Sequence, residues 1–504
     1  MKKWSLGLAV ASLTVSAVAF ADTPATTELS SNNTPANVSA PKETPPLATT
    51  PEKKVDPSTA SPTSGSKKKS AISPSQSDAS PQTSSFNADA AEDQASQDVL
   101  DDKIKAPLNK YGAVDASANV PYDVQVPPLS ASSFVPALLN TASVTWANRV
   151  PKAPVLNAKS YILIDATSGQ VIAEDKANDR LPPASITKLM LIYVLDHSLD
   201  KKELSLDQTL TVPTVAWATG GSRMFLKPNE QVKLQDLISG VLIDSGNDAA
   251  VTIATAVAGT QDAFVAMMNH QAQLLGMTNT HYTDVMGLPA PSHYTSARDL
   301  AVLGSRLLQD YPQYVSWFGA KSFTYNGITQ ENFNKLLFIY PYAIGLKTGS
   351  TNSAGYSLVS AAQKPGNPMQ LVGVVLGTGS RDNSANESKA LLEYGFRNFE
   401  TVKLYSNGQQ VTATPVIKGE NLSVPAGVNK DFYVTLPTGT EKALVAQAEI
   451  TPDLTAPLHK GEVIGTLVIK LDGKVATSTE LVALKDVAAQ SVWQGVGRKL
   501  RSWV

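Results

Sequence analysis

The chain has 504 residues, room for more than one domain, and 42 Lys+Arg against 44 Asp+Glu give a formal net charge of −2. That balance offers no whole-chain attraction for nucleic acid, so no nucleic-acid partner is expected. There is no cysteine and the five histidines (His197, His270, His281, His293, His459) form no H-x-x-x-H pair. Disulfides, thiolate nucleophiles and thiolate metal sites are thereby excluded, a zinc hydrolase is disfavoured, and no cofactor is expected.

The first 21 residues read as a secretory signal. Lys2 and Lys3 precede an apolar run from Leu6 to Val18, and Ala19-Phe20-Ala21 supplies a small-x-small cleavage site. Residues 22–150 follow as a Pro/Ser/Thr-rich tether whose composition lacks any hydrophobic period and cannot offset chain entropy by burial. An ordered catalytic domain is expected over 151–402. SYILIDATSGQVIAED reads as a hairpin around Ser168-Gly169. ITKLMLIYVLDHSL has apolar residues at helical spacing, and DLISGVLIDSGNDAAVTIATAVAG predicts two helices joined by a turn at Ser245-Gly246. Two more amphipathic helices, QDAFVAMMNHQAQLLGM and TSARDLAVLGSRLLQD, precede strands in IGLKTGS, GYSLVSAAQ and MQLVGVVLGTG. A last helix is predicted over 391–402. The class is α+β, helices against an antiparallel sheet.

Residues 403–485 change character, with short β-rich runs broken by Gly, Pro and Asn turns, and predict a small all-β sandwich. The final stretch, 486–504, is expected to be an amphipathic helix. At about 100° per residue, Val492, Trp493, Val496, Leu500, Trp503 and Val504 fall on one third of its circumference. Arg498 and Arg501 face away, a pattern suited to lying in a membrane interface.

The chemistry is expected in PPASITKLM. Ser185 and Lys188 are spaced i, i+3 at a helix start, which puts hydroxyl and amine on one face. A lysine ordinarily keeps its proton to about pH 10.4. Desolvation among apolar neighbours and a second nearby cation would favour the neutral amine a serine needs as its base. Ser245-Gly246-Asn247 lies in the turn between two apolar helices, and Lys347-Thr348-Gly349 ends a strand. The ordered set S-x-x-K, S-x-N, K-T-G is the signature of penicillin-binding proteins and serine β-lactamases.

With GGSRMFLKPNEQV, SARDLA and ESKALLEYGFRNFETV alongside these motifs, the sequence resembles the D-alanyl-D-alanine carboxypeptidases, the low-mass penicillin-binding proteins. The resemblance runs from about Lys159 to the C-terminus, and the tether is not part of the usual pattern. It implies a β-lactamase/transpeptidase-like catalytic fold with Ser185 as acylated nucleophile, Lys188 as base and Ser245 as proton relay. It further implies that Asn247 orients Lys188 and the substrate amide, and that Lys347, Thr348 and Gly349 receive the substrate's terminal carboxylate. The backbone N–H groups of Ser185 and Ser350 would hold the oxyanion. Ser350 departs from the histidine many relatives carry there. Arg381 is a second candidate for the carboxylate, with a surface arginine an equal alternative.

The implied partners are peptidoglycan stem peptides, β-lactams and, through the terminal helix, the periplasmic face of the inner membrane; a homodimer there stays open. A serine β-lactamase, a D,D-endopeptidase and an idle wall-binding scaffold are the alternatives. Against the β-lactamase, no E-x-x-L-N segment lies between the second and third motifs, and Asp284 is the nearest acid in that interval.

Overall fold

The computed structural model describes residues 149–491 together with the backbone of residues 13–14. All of these fall in one compact unit. Of the expected signal, tether and terminal helix, nearly everything lies outside the described residues. Residues 486–491, expected to begin that helix, are instead extended, with Val487 paired to Leu458 and Ala489 to Gly419. Val487 is buried, so it plugs an apolar gap in the β-domain rather than starting a helix.

The expected hairpin is strand β1 (Ser160–Asp165) and strand β2 (Gln170–Asp175), paired antiparallel. The three later strands are β3 (Ala343–Thr351), β4 (Gly355–Gln363) and β5 (Gln370–Thr378). Together they form one antiparallel sheet in the order β2-β1-β5-β4-β3. Alternate residues face opposite sides of a strand, and here both sides are apolar. Ile162, Ile164, Val359, Ala361, Val372 and Val374 pack into the helical core. Leu163, Leu358, Leu371 and Val375 pack into a second core shared with the last helix and the β-domain.

Helix α1 (Thr187–Asp200) is buried along nearly its whole length, so its sequence is apolar all round rather than striped. Helices α2 (Leu234–Leu242), α3 (Asn247–Ala258), α4 (Gln261–Leu274) and α5 (Ala297–Asp310) complete that layer. Thr260 and Ser296 cap α4 and α5 by accepting the N–H groups of Ala263 and Asp299. Two short ribbons decorate it. One of them (Ser322–Tyr325 with Ile328–Glu331) turns at Asn326-Gly327, both at positive φ, a hairpin signal that the chain-order reading passed over.

The last helix, α6, spans Arg381–Asn398 and not 391–402. Its first turns are polar and capped by Ser380, whose hydroxyl accepts from the Asn383 N–H, so apolar spacing alone misses them. Phe399–Tyr405 is strand β6: Phe399 and Thr401 are buried and Glu400 and Val402 half-buried, a period of two. The C-terminal part adds β7 (Gln410–Pro415), β8 (Ser423–Gly427), β9 (Phe432–Pro437), β10 (Leu444–Ile450), β11 (Val463–Leu471) and β12 (Lys474–Ala483). β6 pairs with β9, and the others form an antiparallel sheet in the order β10-β11-β12-β8-β7, with residues 13–14 paired outside β10.

Candidate active site

Ser185 lies in a 3-10 turn, Ala184–Ile186, that leads directly into α1. Ala184 is held at φ +49, an unusual value for a residue with a side chain. Two glycines let other chains close on this turn. A Cβ at Gly287 would lie 1.8 Å from the Ala184 oxygen, and one at Gly349 would lie 2.9 Å from the Pro183 oxygen. The turn is therefore gripped between the 284–288 loop and the end of β3.

Lys188, one turn on, is fully buried. Its Nζ sits 3.1 Å from Ser185 Oγ, 2.7 Å from Asn247 Oδ1 and 3.1 Å from the Met286 carbonyl oxygen. Two of those neighbours only accept; the third, a hydroxyl, can also donate. A neutral amine with two N–H bonds spent on Asn247 and Met286 would keep its lone pair for the Ser185 proton.

Asn247 is the first residue of α3 and is itself fixed, its Nδ2 donating to the Gly220 oxygen at 2.7 Å. Ser245, in the turn before it, is held at φ +56, and its buried Oγ has no hydrogen-bond partner among the described groups. Asp248 braces this turn, accepting the N–H groups of Met224 and Leu226. Lys347 is buried in β3, and Thr348, Gly349 and Ser350 follow it to the mouth of the site.

A cleft is lined by Ser185, Ser245, Thr348, Gly349, Ser350 and Arg381, among others. The structure thus brings the three motifs together. Arg381, the first residue of α6, belongs to this cleft and is no remote surface group; its guanidinium lies 4.0 Å from the Phe333 ring centroid. Motif reading missed Phe333 and Tyr356 in the lining. It also missed Asp244, beside Ser245, whose carboxyl is pushed up to about 7 by burial and by Asp248, with Lys347 opposing.

Asp284 is committed elsewhere. Its Oδ1 accepts from the Met286 and Gly287 N–H groups at 2.6 Å, and its Oδ2 lies 3.3 Å from His293 Nδ1. Burial raises its carboxyl, but the hydrogen bond and charge of His293 and the backbone donors outweigh that and hold it below the ordinary carboxylate value. It is not placed to direct a hydrolytic water as a β-lactamase glutamate does.

Comparison with known proteins points to one family. The model of the D-alanyl-D-alanine carboxypeptidase family matches residues 147–380, and that of the penicillin-binding protein 5 C-terminal domain matches 399–489. The D-alanyl-D-alanine carboxypeptidase DacA of Escherichia coli (strain K12) is 42% identical over 346 residues, 67% of this chain and 85% of that protein. The chain belongs to the D-alanyl-D-alanine carboxypeptidase family. DacC of the same strain is 40% identical over 369 residues, 71% of this chain and 92% of its own length. Among solved structures, penicillin binding protein 5 from Haemophilus influenzae superposes with a TM-score of 0.64 at 37% identity, covering 67% of this chain and 99% of that one. Within the carboxypeptidase family fold, the helices and antiparallel sheet form the catalytic part and the all-β part follows it.

Proposed function

We propose that this chain is a serine-type D-Ala-D-Ala carboxypeptidase that removes the last D-alanine from peptidoglycan stem pentapeptides through an acyl-enzyme on Ser185. The observation that carries the reading is the buried Lys188 amine at 3.1 Å from Ser185 Oγ, with the Asn247 and Met286 oxygens, both acceptors, also within hydrogen-bond distance. Lys188 takes the hydroxyl proton as Oγ attacks the carbonyl carbon between the two D-alanines. The oxyanion is held by the Ser185 and Ser350 backbone N–H groups. Ser245 passes a proton to the departing D-alanine nitrogen, and Asn247 orients both Lys188 and the substrate amide. Lys347 supplies positive field to the terminal carboxylate, with Thr348, Gly349 and Arg381 shaping its seat. Water then attacks the acyl carbonyl and frees Ser185.

A penicillin presents a strained amide to the same hydroxyl, so it acylates Ser185 and remains. The enzyme is exported by its N-terminal signal and works at the periplasmic face of the inner membrane, held there by the amphipathic end of the chain. The basic and doubly Trp-bearing pattern of 492–504 supports that placement.

The test is mass spectrometry of purified muropeptides. Wild-type protein is expected to shorten pentapeptides by one alanine without opening dimers, and Ser185→Ala to leave them intact. Opened dimers would instead establish the endopeptidase, and rapid turnover of penicillin the β-lactamase. No reaction with either substrate would leave only a binding role.

A further inference from the structure

The three motifs do not account for everything that touches Lys188. One of the amine's contacts is a backbone carbonyl, Met286, in a loop about one hundred residues downstream. A carbonyl has no identity of its own in a sequence, so something must aim it. We infer that the buried Asp284–His293 pair is the positioning device for Lys188, holding the Met286 carbonyl against the amine and tying that loop to the start of α1. This rests on the reading of Ser185 and Lys188 as nucleophile and base.

The aim follows from peptide planarity. In a trans peptide the C=O of one residue and the N–H of the next point in opposite directions in one rigid plane. Asp284 Oδ1 accepts the Gly287 N–H at 2.6 Å, and the carbonyl at the other end of that same plane is Met286, 3.1 Å from Lys188 Nζ. The Met286 and Leu288 N–H groups are gathered by the same carboxylate, at 2.6 Å to Oδ1 and 3.2 Å to Oδ2. Fixing the carboxylate therefore fixes the direction of the carbonyl.

The carboxylate is fixed in turn by His293, which is buried. His293 Nδ1 lies 3.3 Å from Asp284 Oδ2 and 3.1 Å from Thr283 Oγ1. The opposite nitrogen, Nε2, lies 3.0 Å from Oγ1 of Thr187, the residue before Lys188. Tyr282 stands edge-on to the imidazole at 5.9 Å and limits its rotation. One imidazole thus spans the two pieces of chain whose relative position sets the distance from Lys188 to Met286. The contact of Gly287 with Ala184 makes the same loop a wall of the nucleophile's turn. Neither Asp284 nor His293 touches the reacting atoms, so both are positioning residues.

The test measures acylation of Ser185 by a fluorescent penicillin in stopped flow, resolving the initial binding constant from the acylation rate constant. Asp284→Ala is expected to slow acylation about 100-fold, the scale of a 1 Å misplacement, with binding changed less than about threefold. Asp284→Asn keeps the Oδ1 acceptor and should recover to within about tenfold of wild type. His293→Gln, which leaves the 284–288 turn its carboxylate, is expected to slow acylation about tenfold and stands in should Asp284→Ala fail to fold by circular dichroism. The inference is overturned if the folded Ala or Gln variant acylates within about threefold of wild type, if Asn is no better than Ala, or if the loss appears in binding. Wild-type protein that takes up no penicillin would sink the Ser185 reading instead, so the two failures are distinguishable.

Discussion

Two buried charged groups in this molecule are surrounded with equal care and put to opposite uses. Asp165, at the end of β1, is fully buried and accepts hydrogen bonds from the Thr401 and Thr435 hydroxyls at 2.6 and 2.5 Å, and from the Thr167 and Gln370 N–H groups. Burial pushes its carboxyl up and these donors pull it part-way back. Thr401 and Thr435 lie on β6 and β9, so Asp165 is a joint between the catalytic sheet and the β-domain. Lys188 is as buried, but one of its contacts is the Ser185 hydroxyl at the edge of the cleft. Every partner of Asp165 stays put, whereas one partner of Lys188 can give up its proton. The hydrogen bonds around Asp165 offset its burial and serve stability; the burial of Lys188 serves reactivity.

Three variants test that contrast. The largest effect is expected from Gly287→Ala, because the new Cβ would lie 1.8 Å from the Ala184 oxygen and must drive the loop from the nucleophile's turn. Penicillin acylation should fall about 10³-fold in protein that still melts cooperatively. Asp165→Ala should do the reverse. It strands five donors, the Ser168 hydroxyl among them, and calorimetry should show a loss of about 3 kcal/mol while acylation per folded molecule stays within about twofold.

The smallest of these effects concerns another buried titratable group, Asp196, which shares helix α1 with Lys188 but has no hydrogen-bond partner on either oxygen among the described residues. Burial alone pushes its carboxyl from 3.8 up to about 8. The folded state then binds a proton that the unfolded state has lost, so this site favours folding fully below about pH 4 and loses stability as pH rises through about 8. Asp196→Asn should accordingly raise stability at pH 8.5 by on the order of 1–3 kcal/mol. The gain should shrink steadily toward pH 5, as read from urea unfolding; a pH-independent difference would contradict the burial argument.

What could be read from the sequence was local. S-x-x-K, S-x-N and K-T-G mark themselves by spacing within a few residues, and α1 and α3 mark themselves as long apolar segments bounded by turn signals. What escaped was held by distant partners. Asp165 looks like an ordinary strand end until Thr401 and Thr435, more than two hundred residues on, are folded against it. In the sequence Asp284 stands out only as the nearest acid between the second and third motifs. Its work on the Met286–Gly287 peptide plane passes through backbone atoms, which no residue pattern records. The start of α6 escaped because its first turn is held by a Ser380 cap and polar side chains rather than by an apolar stripe.

The chemistry turns on the Lys188 amine taking the Ser185 proton, and the most direct test is the acylation rate constant of Lys188→Met with a fluorescent penicillin. The thioether fills the same buried space without a basic nitrogen, so the rate is expected to drop about 10³-fold while the protein remains folded and Ser185 remains the only site labelled. A rate within tenfold of wild type would show that another group removes the proton.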